Sequence, residues 1–310
     1  MKVAIIVNER KFGGVQLNCM TMMKYTNINM EIISRSPDGG MGFKVIENIN
    51  DRIKYLNTFD VIDFQTNGST DIPELPYMKT KTIETIHSVG CSQQKTDMKI
   101  GVSDCVSLIQ DKPCVTCYPG IDFDRTKKLN KKEIRDKYGI PNDMIIVGRC
   151  GRLVAEKLPD HFCQVAKRIK GVYYILPWIG ESVGWLQQIL EGTTHNFLSG
   201  MMAQEFYSVV DIVLYPTQDE SFCNVYFESM LAGVPIITYN IPVANEFDIN
   251  IRVPFGNIDE LTNATQQVIN NNELRKRLID HGNKTIKKFN VKDLIKKREE
   301  VYYLLGGQNE

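Results

Sequence analysis

The chain has 310 residues, and because its 37 lysines and arginines match its 37 aspartates and glutamates, its formal net charge is zero. A hydrophobic content of 43% and a charged content of 24% are ordinary for globular domains and exclude a wholly disordered chain. No apolar run approaches the roughly 20 residues of a membrane-spanning helix, and the apolar start is too short for a secretory signal peptide. We therefore expect a cytoplasmic protein of about two domains, at roughly 150 residues for each domain.

Apolar, β-branched runs alternate with helical patterns through the first part of the chain. Strands are predicted near Val3–Val7, Glu31–Ser34, Val61–Gln65, Thr82–His87, Lys99–Val102 and Pro113–Tyr118. Helices are predicted at Gly14–Tyr25 and Val45–Leu56. The polar, lysine-rich stretch Asp122–Lys137 then breaks the pattern. Such alternation is typical of doubly wound parallel sheets, which bind ligands at the carboxyl ends of their strands.

A second series of strands follows this break. It is predicted at Met144–Val147, Val172–Leu176, His195–Leu198, Ile212–Tyr215, Pro235–Thr238 and Ile251–Val253. The chain is then helical, with segments at Asn257–Asn271, Glu273–Phe289 and Val291–Leu305. The last segment combines an apolar stripe with a solvated face; the stripe is Leu294, Val301, Tyr302 and Leu305, and the face includes Glu299 and Glu300. The sequence thus predicts an α/β fold with two Rossmann-like domains, residues 1–124 and 125–290, and a helical tail over residues 291–310.

The most informative stretch follows the fourth strand of the second series. That strand ends at Tyr215, a loop carries Glu220, and a helix begins near Asn224 with Glu228 beyond its start. Backbone N–H groups at a helix N-terminus bind anions, above all phosphate, and nearby carboxylates accept hydrogen bonds from sugar hydroxyls. The alternative is that both glutamates only interact with the helix dipole.

The segment from Glu220 to Glu228, with Ser229–Thr238 after it, resembles the Glu-x7-Glu signature of family 4 glycosyltransferases. Gly148–Lys157 resembles the family's Gly-Arg-Leu segment, and Tyr118–Asp122 resembles its Asn-Gly-Val-Asp turn. The resemblance is strongest over residues 118–290 and implies the GT-B fold, in which two Rossmann-like domains face each other across a cleft. It also implies that residues 1–124 form the acceptor domain, that residues 125–290 form the donor domain, and that the tail packs back on the acceptor domain.

The resemblance implies a site for a nucleoside-diphosphate sugar. In it, Arg152 and Lys157 bind the donor diphosphate, Glu220 contacts the donor sugar and Glu228 binds the ribose. The backbone amides after Glu220 hold phosphate, which adds four residues to the donor site: Ser221, Phe222, Cys223 and Asn224. The chemistry agrees, because fixed cations beside a leaving diphosphate stabilise the charge that develops there.

The first half contributes two weaker signals. Gly13 and Gly14 follow the first strand and open a helix, where glycine lets the backbone approach a ligand. They resemble the family's Gly-Gly loop near the donor phosphate and the acceptor. His87 ends a strand and resembles the family's active-site histidine near the donor sugar. A plain strand–helix turn and a polar strand cap are the corresponding alternatives.

The sequence departs from the family pattern at several points. The first half is short for the family, Ser221 replaces the glycine usual after the first glutamate, and Cys223 replaces another small residue. Around Asn240–Glu246 the usual glycine pair is absent, although Glu246 is in the expected place.

We expect no metal ion and no separate cofactor. Asp122 and Asp124 have the Asp-x-Asp spacing of metal-dependent transferases, but they lie in the linker turn, far in sequence from the signature glutamates. Cys114 and Cys117 are spaced like a metal-binding pair, but in a strand residues three apart point to opposite faces.

The leading hypothesis is a retaining, metal-independent glycosyltransferase that moves a sugar from a UDP- or GDP-sugar to an acceptor hydroxyl. No side chain is an obvious covalent nucleophile, which favours a front-face mechanism in which the leaving phosphate takes the acceptor's proton. The alternatives are a nucleotide-sugar epimerase of the same fold and a degenerate transferase that binds a nucleotide or a partner without turnover.

The acceptor stays open among a glycan, a lipid-linked sugar and a protein. Residues 1–124 have no excess of positive charge, which disfavours nucleic acid without excluding a modified base. The lysine-rich stretches 127–137 and 284–298 allow weak peripheral contact with an anionic membrane, although solvated helix faces are the favoured interpretation. The donor sugar and the oligomeric state stay open as well.

Overall fold

The computed structural model describes residues 1–7, 13–36, 42–69, 71–111, 113–125, 127–178 and 184–307. Contacts within the chain divide it into two units. The first unit is Met1–Asp122 with Glu220–Phe222 and Phe289–Glu310, and the second unit is Phe123–Asp219 with Cys223–Lys288. Phe12, which precedes the predicted glycine pair, lies outside the described residues.

Each unit contains a parallel sheet, as the α/β prediction requires. The first sheet is built from β1 (Lys2–Val7), β2 (Asn29–Ser34), β3 (Lys44–Val45), β4 (Val61–Thr66), β5 (Lys81–Ile86), β6 (Met98–Gly101) and β7 (Cys114–Thr116). Its strand order is β3-β2-β1-β4-β5-β6-β7. The second sheet is built from β8 (Ile146–Gly148), β9 (Tyr173–Trp178), β10 (His195–Ser199), β11 (Ile212–Leu214), β12 (Ile236–Tyr239) and β13 (Ile251–Val253). Its order is β10-β9-β8-β11-β12-β13, so the predicted fold class is confirmed.

Helices connect the strands and form the end of the chain. They are α1 (Gly14–Tyr25), α2 (Ile49–Leu56), α3 (Asp104–Leu108), α4 (Lys131–Tyr138), α5 (Pro159–Arg168), α6 (Gly184–Leu190), α7 (Ala203–Val209), α8 (Asn224–Leu231), α9 (Pro242–Glu246), α10 (Ile258–Asn270), α11 (Asn272–Thr285) and α12 (Val291–Gly306). Of the helices described, none is both long and apolar enough to cross a membrane.

The start of α2 differs from the prediction. Val45 does not belong to a helix, because it pairs with Ser34 in the parallel ladder between β2 and β3. The helix begins at Ile49, since the Asn48 side chain accepts the backbone N–H groups of the first turn and so caps the helix there.

Side-chain alternation along β1 separates two cores in the first unit. Val3 and Ile5 face one side of the sheet and pack with apolar residues of α1 and α12. Ala4 and Ile6 face the other side and pack with a group that includes Leu56 of α2. Because successive strand residues point to opposite faces, a parallel strand covered on both sides is apolar throughout.

The tail helix α12 is fixed to the first sheet by a buried polar network. The Arg298 guanidinium donates to Asp63 Oδ2 at 3.0 Å and to Thr85 Oγ1 at 2.9 Å. The Tyr302 hydroxyl donates to the same Asp63 oxygen at 2.6 Å. These side chains are all buried, so the carboxylate and the guanidinium satisfy each other away from water.

The predicted faces of α12 are wrong in part. Ile295 is buried, whereas Leu294 is only half-buried. Glu299 is not simply solvated, because its carboxylate accepts hydrogen bonds from Thr26 Oγ1 and the Asn27 backbone N–H, both at 2.8 Å. The solvated face therefore includes an acceptor that ties α12 to the end of α1.

In the second unit, the end of β8 requires glycine. A Cβ atom on Gly148 would lie 2.5 Å from the ring of Phe206, which is fully buried in α7. Any larger residue would displace that ring. The close packing fixes the point at which the chain leaves β8 and begins the loop that carries the predicted phosphate-binding residues.

Candidate functional site

The loop after β8 is shaped by Arg149, which is fully buried. Its guanidinium donates to the carbonyl oxygens of Lys157 at 2.7 Å and of Arg152 at 3.3 Å. It also lies 5.3 Å from the ring centroid of Tyr215, at cation–π distance. Arg149 thus holds the loop backbone at both predicted phosphate-binding residues.

Lys157 connects this loop to the one after β11. Its ammonium group donates to the Asp219 carbonyl oxygen at 2.8 Å, and the Gln218 backbone N–H donates to the Glu156 carbonyl at 3.0 Å. Arg152, in contrast, lies at the surface with 72% of its side chain exposed, 3.9 Å from the Glu156 carboxylate. The structure therefore fixes Lys157 beside the start of the α8 loop and leaves Arg152 accessible to solvent.

Two residues that flank these positions adopt left-handed backbone conformations although neither is glycine. Leu158, directly after Lys157, has φ +42°, and Cys223, directly before α8, has φ +61°. Such conformations cost about 1–3 kcal/mol for a residue with a side chain and concentrate at functional sites. The strain therefore coincides with the two loop ends that the sequence analysis singled out.

The N-terminus of α8 is suited to an anion. The side chain of the N-cap residue Cys223 does not cap this helix by a hydrogen bond, and the first turn contains no acidic residue. The helix dipole and the first-turn N–H groups favour negative charge at such an end. Glu220 precedes the helix and Glu228 follows its first turn, so the alternative of two first-turn dipole partners is wrong.

Glu228 is a buried carboxylate with two defined neighbours. Arg125 NH2 lies 2.9 Å from its Oε1 atom, and the Tyr207 hydroxyl forms a hydrogen bond with the carboxylate. Burial raises the pKa of Glu228, while Arg125 and Tyr207 oppose that rise. Cys150 extends the chain of contacts, since its Sγ lies 3.3 Å from the Tyr207 hydroxyl.

His87 follows β5 in the first unit and is held in its neutral form. Burial, with a smaller contribution from the Arg298 charge, lowers the pKa of His87 to about 3. Its Nε2 lies 2.7 Å from Gln65 Oε1, and because an amide oxygen only accepts, Nε2 carries the hydrogen and Nδ1 is the acceptor. The Ser221 hydroxyl donates to the His87 carbonyl oxygen at 2.7 Å.

Residues 130–285, half of the chain, match the family model described as glycosyl transferases group 1. The chain belongs to this family. The predicted resemblance to glycosyltransferases is therefore confirmed.

Curated relatives include two bacterial glycosyltransferases. The chain is 31% identical over 158 residues to the O-antigen biosynthesis glycosyltransferase WclY of Escherichia coli, covering 47% of this chain and 45% of WclY. It is 26% identical over 199 residues to the capsular polysaccharide biosynthesis glycosyltransferase CapM of Staphylococcus aureus, covering 59% of this chain and 52% of CapM. The aligned stretches span about half the length of these relatives.

Solved structures match over nearly the whole chain. HepE of Anabaena, in complex with UDP-glucose, has a TM-score of 0.84 at 17% identity, covering 98% of this chain and all of HepE. WaaG, a glycosyltransferase involved in lipopolysaccharide biosynthesis, has a TM-score of 0.75 at 13% identity, covering 98% of this chain and 99% of WaaG. These likenesses show that this group 1 glycosyltransferase has the GT-B fold.

The two units divide the predicted site residues between them. The first unit contains Gly13, Gly14, His87, Glu220, Ser221 and Phe222, and the second contains Arg152, Lys157, Cys223, Asn224 and Glu228. Gly13 is the extended N-cap residue of α1. The roles of these residues in binding the donor stay predictions.

Sequence reasoning missed three residues of the glycosyltransferase that contact predicted ones: Arg149, Tyr207 and Arg125. Arg149 gave no signal, because arginine is rarely buried and the sequence therefore favoured a solvent-exposed side chain at this position. Tyr207 and Arg125 gave no signal, because their contact with Glu228 arises only from the fold.

Asp122 and Asp124 have the Asp-x-Asp spacing that the sequence analysis considered and disfavoured as a metal site. No group of three His, Cys, Asp or Glu side chains within the described residues is placed to hold a metal ion. Asp122 contacts α1 instead, accepting from Lys24 Nζ at 2.7 Å and from the Tyr25 hydroxyl at 2.8 Å. Whether the reaction needs a metal stays a separate prediction.

Proposed function

We propose that the protein is a retaining glycosyltransferase that moves a sugar from a nucleoside-diphosphate sugar to an acceptor hydroxyl without a metal ion. The observation that carries this proposal is the fixed Lys157 ammonium group at the loop that leads into α8. Both this cation and the helix N-terminus favour negative charge, so together they suit a diphosphate.

The proposal gives each part of the site a physical task. Lys157, Arg152 and the amides that precede α8 stabilise the diphosphate as it leaves, and the Lys157 ammonium group is in place before the reaction begins. Glu228 accepts hydrogen bonds from the ribose, and Glu220 contacts the donor sugar. Since the leaving phosphate takes the acceptor's proton, catalysis depends on positioning rather than on a protein base.

His87 fits a positioning task in this mechanism. A histidine whose pKa is lowered to about 3 is neutral near pH 7, so its ring lacks the second proton that an imidazolium would give up as an acid. Its unprotonated Nδ1 still accepts a hydrogen bond from a sugar hydroxyl. We therefore propose that His87 orients the donor sugar and does not act as a general acid.

The names of the relatives guide the choice of substrates. HepE was solved with UDP-glucose, while WclY and CapM are named for the biosynthesis of O-antigen and capsular polysaccharide. We propose a UDP-sugar as donor and a growing glycan, free or lipid-linked, as acceptor.

The binding test is a thermal melting experiment with UDP, GDP and NAD. We expect UDP or GDP to raise the melting temperature, because a ligand at 100 times its Kd stabilises the folded state by about 2.7 kcal/mol. NAD is the control, since it also binds Rossmann-like domains but fits a dinucleotide site. Stabilisation by NAD alone, or by none of the three, would contradict the nucleotide-sugar function.

A further inference from the structure

Arg125 forms an ion pair with Glu228 that no sequence motif indicated. Its NH2 group lies 2.9 Å from Glu228 Oε1, and the side chains are 28% and 6% exposed. Arg125 lies before α4 in the second unit, about a hundred residues before its partner. A nearly buried carboxylate is costly unless a charge or hydrogen bonds compensate it.

The contacts of Glu228 leave room for one more partner. Tyr207 supplies a hydrogen bond to the carboxylate, but Oε1 accepts none from any described residue, despite its closeness to Arg125. Asn224, one helical turn earlier on α8, has a buried Oδ1 that likewise lacks a hydrogen-bond donor in the described part of the chain. Residues four apart lie on one helix face. Two buried acceptors therefore lie on the same face of α8.

Buried acceptors without a hydrogen-bond donor indicate a ligand that brings hydroxyl groups. We propose that Arg125 is a positioning residue of the nucleotide site, which keeps the Glu228 carboxylate ionised and oriented so that Oε1 accepts from the vicinal diol of a bound nucleoside diphosphate. This inference rests on the proposed function. Arg125 acts through Glu228, so its effect is specific to ligands that carry the diol.

The test compares UDP or GDP, whichever the wild type binds, with the matching 2′,3′-dideoxy nucleotide by calorimetry. We expect the wild type to bind the diol form at least about tenfold more tightly, since a hydrogen bond to a charged group contributes that much. In Arg125→Met this preference disappears, and in Arg125→Lys, which keeps the charge, part of it returns. The double variant Arg125→Met/Glu228→Gln binds no more weakly than Glu228→Gln alone, because both changes remove one contact.

The pH dependence of nucleotide binding distinguishes a positioning role of Arg125 from a loss of protein stability in the variant. Arg125 and Tyr207 are the groups that hold down the pKa of Glu228 against burial. Without Arg125 the pKa of Glu228 rises, so its carboxylate becomes protonated at a higher pH. As the pH is lowered, binding of the nucleotide should therefore begin to weaken at a higher pH in Arg125→Met than in the wild type.

The control is Arg168→Met, which removes a surface pair with Asp259 in the same unit. It should bind both nucleotides as the wild type does. If the wild type binds a nucleoside diphosphate and Arg125→Met keeps the full diol preference, the inference alone is wrong. If the wild type binds no nucleoside diphosphate, the proposed function fails and the inference with it.

Discussion

Replacing Lys157 by alanine is expected to lower the rate of nucleoside diphosphate release from the donor about 10²–10³-fold, the usual effect of removing one group that stabilises a leaving oxyanion. The side chain is fixed by its hydrogen bond to the Asp219 carbonyl, so the cation is in place before the reaction begins. Glu220→Ala is expected to lower the rate to a similar extent, since Glu220 is proposed to contact the transferred sugar. The measurement is the initial rate of UDP or GDP formation at saturating donor.

Lys167→Ala is a matched control for the lysine variant. Lys167 also donates to a backbone carbonyl, that of Glu191 at 2.9 Å, but it lies exposed on α5. It should keep the wild-type rate, and its stability should change by no more than about 0.5 kcal/mol. Folded Lys157→Ala and Glu220→Ala proteins with rates near that of the control would remove both residues from the site.

The second large effect concerns stability. Replacing Arg298 by methionine is expected to lower the free energy of unfolding of the first unit by about 3–5 kcal/mol, because the buried Asp63 carboxylate then loses its compensating charge. Asp63 keeps its hydrogen bonds from Tyr302 and Thr85, so the loss of stability should be smaller than for a buried carboxylate without any partner. Urea unfolding followed by circular dichroism measures the change.

Arg168→Met is the control here as well, since it breaks an exposed ion pair of the same type and should cost no more than about 1 kcal/mol. The double variant Asp63→Asn/Arg298→Met should recover part of the lost stability, because it removes both buried charges. Equal stability of Arg298→Met and the wild type would contradict the structural role of the network.

The same variant has a consequence for His87. Arg298 helps to lower the pKa of His87 to about 3, so we expect this histidine to show no titration between pH 5 and 8 in the wild type and a higher pKa in Arg298→Met. Because the unfolded chain binds this proton near pH 6.5, His87 reduces stability as the pH falls below that value. The chain has four histidines, so their NMR resonances can be followed individually.

The local pattern of the sequence was sufficient to predict most of the fold. Short apolar runs predicted the strands, since parallel strands buried on both faces are apolar throughout. The start of α2 was missed because a two-residue edge strand, Lys44–Val45, leaves no periodic pattern, and its pairing with β2 depends on the folded sheet.

Candidate site residues could be proposed from the sequence where they belong to a motif, but the side chains that contact them from distant parts of the chain could not. Lys157 and Glu228 belong to recognisable segments. Arg298 was not assigned a partner, because Asp63 lies 235 residues away in the chain. The same holds for Arg125, whose pairing with Glu228 requires the linker and α8 to meet in the fold.

The most direct test of the account is release of free nucleoside diphosphate from a panel of UDP- and GDP-sugars in EDTA, with water as the only acceptor. We predict slow release from at least one donor, and we predict that the first sugar detected by NMR keeps the anomeric configuration of that donor. Release from no donor would contradict glycosyl transfer. Release that EDTA abolishes and manganese restores, or a sugar with inverted configuration, would contradict the metal-independent, retaining mechanism.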